Sequence, residues 1–150
     1  MDDCIFCKII KGEAPSHKIW EDDKHLAFLS IFPNTPGFTV LVTKEHLPSY
    51  FADNDDQTLS DFVCAAKKVA KLIDASFEDV GRTGLIAEGF GVNHLHFKLF
   101  PMHGTKTSEW QQHNSHVEKI FDNYEGYISS HNGPRASDED LEIIATKIKK

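Results

Sequence analysis

Hydrophobic and polar residues follow one another along the chain in patterns that predict four strands. The apolar run 28–32 ends in a cluster of Pro, Asn and Gly residues at 33–37, a composition typical of turns. Residues 38–43 are rich in β-branched and aromatic side chains, so they predict a second strand that pairs antiparallel with the first. Residues 83–87 and 94–100 predict two more strands.

One long helix is predicted over residues 56–77, with Asp55 or Asp56 supplying the N-cap oxygen. Apolar residues recur there at the i, i+3, i+4, i+7 spacing of a single helix face. They are Leu59, Phe62, Val63, Ala66, Val69, Ala70 and Ile73. Cys64 is assigned to the same stripe and therefore to the core.

Beyond Pro101 the chain becomes polar and irregular until a short final helix, for which Ser137 is the expected N-cap and Asp140 the capping-box partner. No internal repeat, low-complexity segment or linker divides the sequence. Strands first, a helix between them and a helix last favour an α+β fold with a largely antiparallel sheet.

The composition describes one folded domain of 150 residues, 40% of them hydrophobic and 26% charged. With 23 acidic against 16 basic side chains the formal net charge is −7, which argues against nucleic-acid binding because that requires a basic surface. A small anionic ligand held by local groups is compatible with this charge. No apolar run of about 18 residues and no secretory pattern occur, so we expect a cytoplasmic protein without membrane contact.

Polar and apolar residues alternate over residues 94–100. Because the side-chain period of a strand is two, His94, His96 and Lys98 share one face and the apolar residues between them share the other. This row is either the solvated face of an amphipathic strand or a chemically active surface. Two histidines and a lysine at this spacing favour the active surface.

Cys4 and Cys7 form the second candidate feature, a C-x-x-C motif. Two cysteines at this spacing can chelate one zinc ion if two further ligands exist, and His46 and the strand histidines are candidates. The alternatives are a redox pair, disfavoured because no βαβ unit surrounds the motif, and two buried thiols. Three cysteines, an odd number, predict no disulfide framework.

The other histidines lie in polar segments and are expected at the surface. They are His17, His25, His113, His116 and His131. His103, just past the last strand, either approaches the site or is a loop residue.

Five segments occur in a fixed order over residues 3–104. They are Cys4-Ile5-Phe6-Cys7-Lys8-Ile9-Ile10-Lys11-Gly12-Glu13-x-Pro15, Ala27-Phe28, Pro33-Asn34-Thr35-Pro36-Gly37, Val40-Leu41-Val42-Thr43-Lys44-Glu45-His46 and His94-x-His96. Their order and spacing resemble the histidine triad (HIT) superfamily of nucleotide-binding proteins. The resemblance implies an α+β fold with a five-stranded, largely antiparallel sheet and one long helix, often assembled as a homodimer. We expect a HIT-like core over 1–104, with 105–150 as a partly helical extension packed on the same domain.

The resemblance also implies chemistry at phosphorus. In the family a histidine attacks the α-phosphate of a nucleotide derivative, and water or another acceptor resolves the nucleotidyl-histidine. His96 matches that nucleophile. The family's structural zinc ligands match Cys4, Cys7, His46 and His94. Its apolar base contacts match Ile5, Phe6, Phe28 and Ile31, for which membership of the ordinary core is the alternative.

The sequence departs from the family pattern at four polar contacts. Lys98 replaces the third motif histidine, and a protonated lysine can pair with phosphate but cannot accept a hydrogen bond. Phe38 replaces a histidine, and Ser30 replaces the acidic residue that grips the ribose. Gly89-Phe90-Gly91 replaces a Gly-Gln-Ser/Thr turn, although Gly89 and Gly91 still allow close approach of a ligand. The related hexose-phosphate uridylyltransferases also lack the third histidine and are active.

Two functions remain open. The first is a zinc-stabilised HIT-type hydrolase or nucleotidyltransferase that acts on a phosphoramidate or dinucleoside polyphosphate, with His96 as nucleophile and Lys98 neutralising phosphoryl charge. The second is a non-catalytic module that binds a nucleotide or another small anion. A dimeric scaffold is the remaining possibility. In the extension, Trp110, Tyr124 and Tyr127 could cover the site or form a dimer contact, and Arg135 is either a phosphate contact or a surface ion-pair partner.

Overall fold

A computed structural model describes residues 3–126 and residue 139. The elements are α1 (Ile5–Lys11), β1 (Lys18–Glu21), β2 (His25–Leu29), β3 (Thr39–Thr43), a 3-10 helix (Phe51–Asp53), α2 (Asp56–Ser76), β4 (Thr83–Ile86) and β5 (His96–Pro101). The chain divides into two compact units, Met1–Glu109 and Trp110–Lys150, and all these elements lie in the first.

In the second unit, residues 110–126 are irregular, with bends but no strand or helix, and Trp110 is exposed. The roles expected of Tyr127 and Arg135 lie outside the described residues, and of the helix expected from Ser137 only Glu139, which is helical, is described. The division of the chain into a core over 1–104 and a packed extension therefore stays a prediction.

The five strands form one antiparallel sheet in the order β1-β2-β3-β5-β4. This confirms the predicted α+β fold with its five-stranded sheet, and it confirms the antiparallel pairing of the first two predicted strands. In the centre of the sheet, Val42 is paired with His96 and Val40 with Lys98. Because paired residues share a face, His96 and Lys98 lie on the same side of the sheet as these two valines.

Each face of the sheet has its own helix and its own core. On one face, α2 packs on Ala27, Leu41, Leu95, Phe97 and Leu99. On the other, Ile9 of α1 joins a cluster that consists of Leu26, Phe28, Val40 and Val42. The alternation along β5 therefore directs its apolar residues to α2 and its polar row to the side of α1.

The long helix confirms the prediction over residues 56–77, with Asp55 as N-cap accepting a 2.9 Å hydrogen bond from the Thr58 N–H. Two assignments to its buried stripe are wrong, because Val63 and Cys64 are exposed. Residues two apart on a helix point about 200° apart, so Cys64 lies opposite the buried Phe62. Among the described residues, no helix is both long and apolar enough to cross a membrane.

The first predicted strand is displaced along the sequence. It covers residues 25–29 rather than 28–32, and Ile31 and Phe32 are exposed in the connection to β3. His25, expected at the surface, is buried at the start of β2. Its ring stacks on Phe62, and its Nδ1 lies 3.0 Å from Asp22 Oδ1, so the buried nitrogen has a polar partner.

Candidate functional site

Four potential metal ligands come together where α1 begins. Their ligand atoms, one each from Cys4, Cys7, His46 and His94, all lie within 4.8 Å of one another. Nδ1 of His94 is 3.5 Å from Sγ of Cys4 and 3.6 Å from Sγ of Cys7, which is 3.2 Å from Nδ1 of His46. A tetrahedral zinc ion with ordinary bond lengths separates its sulfur and nitrogen ligands by about 3.6 Å. The donor set and its spacing fit a closed Cys2His2 zinc site.

Local structure prepares this group for a cation. Cys4 is the N-cap residue of α1 and Cys7 lies three residues on, so the first helical turn directs both sulfurs to one side. His94 donates its Nε2–H to the carbonyl of Thr43 over 2.6 Å, which leaves the Nδ1 lone pair facing the sulfurs. Burial raises the pKa of the Cys7 thiol and Cys4 raises it further, a penalty that a bound cation would relieve.

His96 is buried at the start of β5, and one hydrogen bond determines which ring nitrogen carries its proton. Nδ1–H donates to the main-chain carbonyl of His94 over 2.7 Å. In the neutral ring Nε2 therefore keeps its lone pair. Burial, the largest influence, lowers the pKa of His96 and outweighs hydrogen bonding to the main chains of His94 and Phe90, which raises it, so the neutral ring is favoured near pH 7.

Phe6, which lies between the two cysteines on α1, packs edge-on against both histidines of the β5 segment. Its ring centroid is 5.8 Å from that of His94 and 5.5 Å from that of His96. It also lies 5.6 Å from Phe28 in the core beneath. α1 thus contributes metal ligands and a wall of the histidine site at once. The predicted contact of Phe6 with a base stays a prediction.

Lys98 occupies the third polar position of the strand and forms an ion pair with Glu88. The Nζ of Lys98 donates to Oε1 of Glu88, and their side chains are only 28% and 10% exposed. Because the pair is largely shielded from water, its attraction is screened less than that of a surface pair. Glu88 is not among the site residues predicted from the sequence. Its position two residues after Ile86, the residue that pairs with Lys98 across the sheet, becomes clear only from the strand register.

The glycine turn that precedes the histidines has two residues in the left-handed region, Gly89 at φ +74° and Gly91 at φ +96°. A Cβ atom on Gly89 would lie 2.7 Å from the carbonyl oxygen of Ser49. Glycine is therefore required at residue 89 for both conformation and close packing. Nothing lies within 4 Å of a Cβ built on Gly91, so glycine is favoured there by backbone conformation alone.

The other residues predicted to contact a nucleotide lie in different environments. Phe28 is buried in the core on the α1 face, whereas Ile5 is exposed on α1. Ile31 is 72% exposed, so the alternative assignment of this residue to the core is wrong. The Ser30 hydroxyl oxygen accepts a hydrogen bond from the N–H of Phe32 at 3.2 Å. The roles of these residues toward base and ribose stay predictions.

Phe38, which departs from the family pattern, stacks on Phe100 with ring centroids 4.5 Å apart. Thr39 pairs with Leu99, so Phe38 and Phe100 come next in the same register and share the face of Lys98. The face of β5 that carries His96 and Lys98 therefore ends in an aromatic pair.

His103 lies away from the histidine pair, in favour of the loop alternative. Its Nδ1 is 3.0 Å from Asp79 Oδ1, its Nε2 is 2.9 Å from the carbonyl oxygen of Pro36, and its ring meets Phe77 edge-on. Both neighbours are acceptors, so they favour the protonated ring, in which both nitrogens donate. Its Pro36 and Asp79 contacts raise the pKa of His103.

Comparison with known proteins gives a consistent result. The profile of a family described as HIT domain matches residues 11–105. The chain is 38% identical over 102 residues to an uncharacterized HIT-like protein of Methanocaldococcus jannaschii, an alignment that covers 65% of this chain and 78% of that protein. It is 37% identical over 99 residues to an adenosine 5'-monophosphoramidase of Schizosaccharomyces pombe, covering 65% of this chain and 73% of that enzyme.

The fold is similar to solved structures as well. A member of the HIT family from Bacillus subtilis matches with a TM-score of 0.66 and 29% sequence identity, over 98% of this chain and 95% of that one.

Proposed function

The chain belongs to the HIT domain family, and from this we propose that it is a hydrolase or nucleotidyltransferase acting at the phosphate of a small nucleotide derivative. One observation carries the proposal. Nδ1–H of His96 donates to the His94 carbonyl, so in the neutral ring the electron pair that attacks phosphorus is on Nε2. The similarity to an adenosine 5'-monophosphoramidase supports a phosphoramidate as substrate.

The proposed reaction has two steps. The Nε2 electron pair of His96 attacks the α-phosphorus, a phosphorus–nitrogen bond to the ring forms, and the bond to the leaving group breaks. Water or another acceptor then attacks the same phosphorus. The phosphorus–nitrogen bond to His96 breaks, and its electron pair returns to Nε2. The Lys98 ammonium group stabilises negative charge on the phosphoryl oxygens as His96 attacks.

We assign zinc to Cys4, Cys7, His46 and His94, because the four donors match its chemistry and spacing. With four protein ligands, the ion would be structural and would hold α1 against the segment that carries His96. The position of His96 then depends on this group through the His94 main chain.

A binding module without turnover is the second candidate. Its support is that polar groups expected to contact substrate have other partners, since Lys98 is paired with Glu88 and Ser30 Oγ accepts from the chain itself. A homodimer and a cytoplasmic location stay predictions from the sequence.

Turnover of adenosine 5'-phosphoramidate tests the proposal. We expect wild-type protein to release AMP and ammonia, and His96→Ala to lose at least about 1,000-fold in kcat. His113→Ala, which changes an exposed histidine of the second unit, is the matched control and should keep full activity. Binding of AMP without any turnover by the wild-type protein would favour the binding module.

A further inference from the structure

The partner of Lys98 bears on the leaving group of the reaction. β4 and β5 are antiparallel with Ile86 opposite Lys98. Glu88 lies two residues further along the chain, so continued pairing would bring it opposite His96. Its carboxylate reaches diagonally across this position to the Lys98 ammonium group. Lys98, which is two residues from His96 on the same face of β5, therefore brings its paired carboxylate to the face of the sheet that carries the nucleophile.

The Lys98–Glu88 ion pair is largely shielded from water. The Glu88 side chain is 10% exposed, which leaves little water to screen its charge. A substrate at His96 therefore meets a carboxylate as well as an ammonium group.

The carboxylate treats two kinds of leaving group differently. An amine departs neutral or as a cation, and a nearby carboxylate does not oppose it. A polyphosphate departs with several negative charges, which the carboxylate repels. Two substrates with the same adenosine phosphoryl group and different leaving groups would thus be separated by the charge of Glu88 alone.

We propose that Glu88 is a positioning and specificity-determining residue that holds Lys98 beside His96 and selects substrates with an amine leaving group over those with a polyphosphate leaving group. This inference rests on the proposed function and specifies its substrate class. Glu88 acts on the amine substrate through Lys98 and on the polyphosphate through its own charge.

The proton balance of the amine reaction involves the same pair. The Nε2 electron pair of His96 forms the new bond to phosphorus as the phosphoramidate P–N bond breaks, and the departing nitrogen takes a proton from the Lys98 ammonium group. Water then attacks phosphorus, its proton goes to Lys98 Nζ, and the bond to Nε2 breaks. Glu88 keeps Lys98 in reach of both leaving group and water.

The test compares kcat/KM for adenosine 5'-phosphoramidate with kcat/KM for diadenosine tetraphosphate. We expect wild-type protein to prefer the phosphoramidate, and Glu88→Gln to reduce this preference at least tenfold. Glu88→Asp, which keeps the negative charge, should retain most of the wild-type preference. Glu78→Gln is the matched control, because Glu78 is exposed and the same charge is removed.

An equal effect of Glu88→Gln on both substrates would overturn the inference while leaving the proposed function intact. Absence of turnover of both substrates by wild type would instead contradict the proposed function. In that case ligand binding tests whether Glu88 repels a polyphosphate. We expect Glu88→Gln to bind adenosine tetraphosphate at least tenfold more tightly than wild type does, with adenosine binding unchanged. Unchanged tetraphosphate affinity would overturn the inference.

Discussion

His96 donates its Nδ1–H to the main-chain carbonyl of His94 over 2.7 Å. The side chain of His94 belongs to the cysteine and histidine group, and its main chain determines which nitrogen of His96 is protonated. A single residue therefore connects the candidate metal centre to the candidate nucleophile. The intervening side chain, Leu95, is buried on the α2 face, which prevents the segment from rotating.

Loss of one thiolate should release the metal. We expect protein purified without chelator to contain about one equivalent of zinc, and Cys7→Ser to contain less than about half, because a structural site needs all four ligands. Elemental analysis by mass spectrometry measures this directly. The variant should also melt at a lower temperature, since α1 loses its attachment to His94.

The third cysteine offers a control for this experiment. Cys64 is exposed on α2, away from the ligand group, so Cys64→Ser should keep both the zinc content and the melting temperature of wild type. Equal zinc in Cys7→Ser and wild type would contradict the assignment.

Removing the Lys98 ammonium group should destabilise the protein through Glu88. We expect Lys98→Met to lower the free energy of unfolding by about 3 kcal/mol, because a shielded carboxylate loses its cation. The double variant Lys98→Met/Glu88→Gln should recover most of this loss. Urea denaturation provides the free energies for the double-mutant cycle.

A surface ion pair serves for comparison. Lys24 pairs with Asp61 over 2.7 Å, but the Lys24 side chain is 71% exposed. Lys24→Met should destabilise the protein much less than Lys98→Met does. The Lys98–Glu88 cycle has its own contradicting outcome. If the losses in unfolding free energy of Lys98→Met and Glu88→Gln simply add in the double variant, the two side chains do not stabilise each other.

Periodicity predicted the elements in which one face is buried. The long helix and the β2–β3 hairpin were confirmed because apolar spacing of 3.6 or 2 is a direct record of burial. The displacement of β2 has a physical reason: Ile31 and Phe32 are apolar yet exposed, whereas the polar His25 is buried through its contact with Asp22. Hydrophobicity alone cannot reveal a histidine that is buried because its ring nitrogen has a hydrogen-bond partner.

The short elements were harder to predict. α1 has seven residues and no side-chain cap, and β1 has no buried residue, so neither shows a clear apolar pattern. For the site, the ligand quartet was predicted through family resemblance and Glu88 was missed. Its pairing with Lys98 depends on the register of β4 against β5, which a single sequence does not display.

The His103–Asp79 pair should make stability depend on pH. The Pro36 carbonyl and the Asp79 carboxylate raise the pKa of His103 above its unfolded value. Hydrogen bonding from His103 lowers the pKa of Asp79. The contribution of the histidine is therefore fully present below about pH 6.5 and is lost as pH rises through the folded pKa. That of the aspartate is present above about pH 3.9 and is lost on acidification through its own folded pKa.

The His103–Asp79 pair stabilises the protein most between about pH 3.9 and about pH 6.5. The difference in unfolding free energy between wild type and His103→Asn should therefore be larger at pH 5.5 than at pH 8.5. Urea titrations at the two pH values measure it. His113→Asn should show no such change. A gap that grows with pH would mean that the ring is not held as a cation.

The covalent intermediate at His96 is the central claim, and intact mass spectrometry of acid-free, rapidly quenched reactions tests it most directly. With adenosine 5'-phosphoramidate we expect wild-type protein to gain the mass of one adenylyl group, mapped to the peptide that contains His96. The adduct should be absent from His96→Ala and present in His113→Ala. Turnover without an adduct in single-turnover reactions, or an adduct that persists in His96→Ala, would contradict the mechanism.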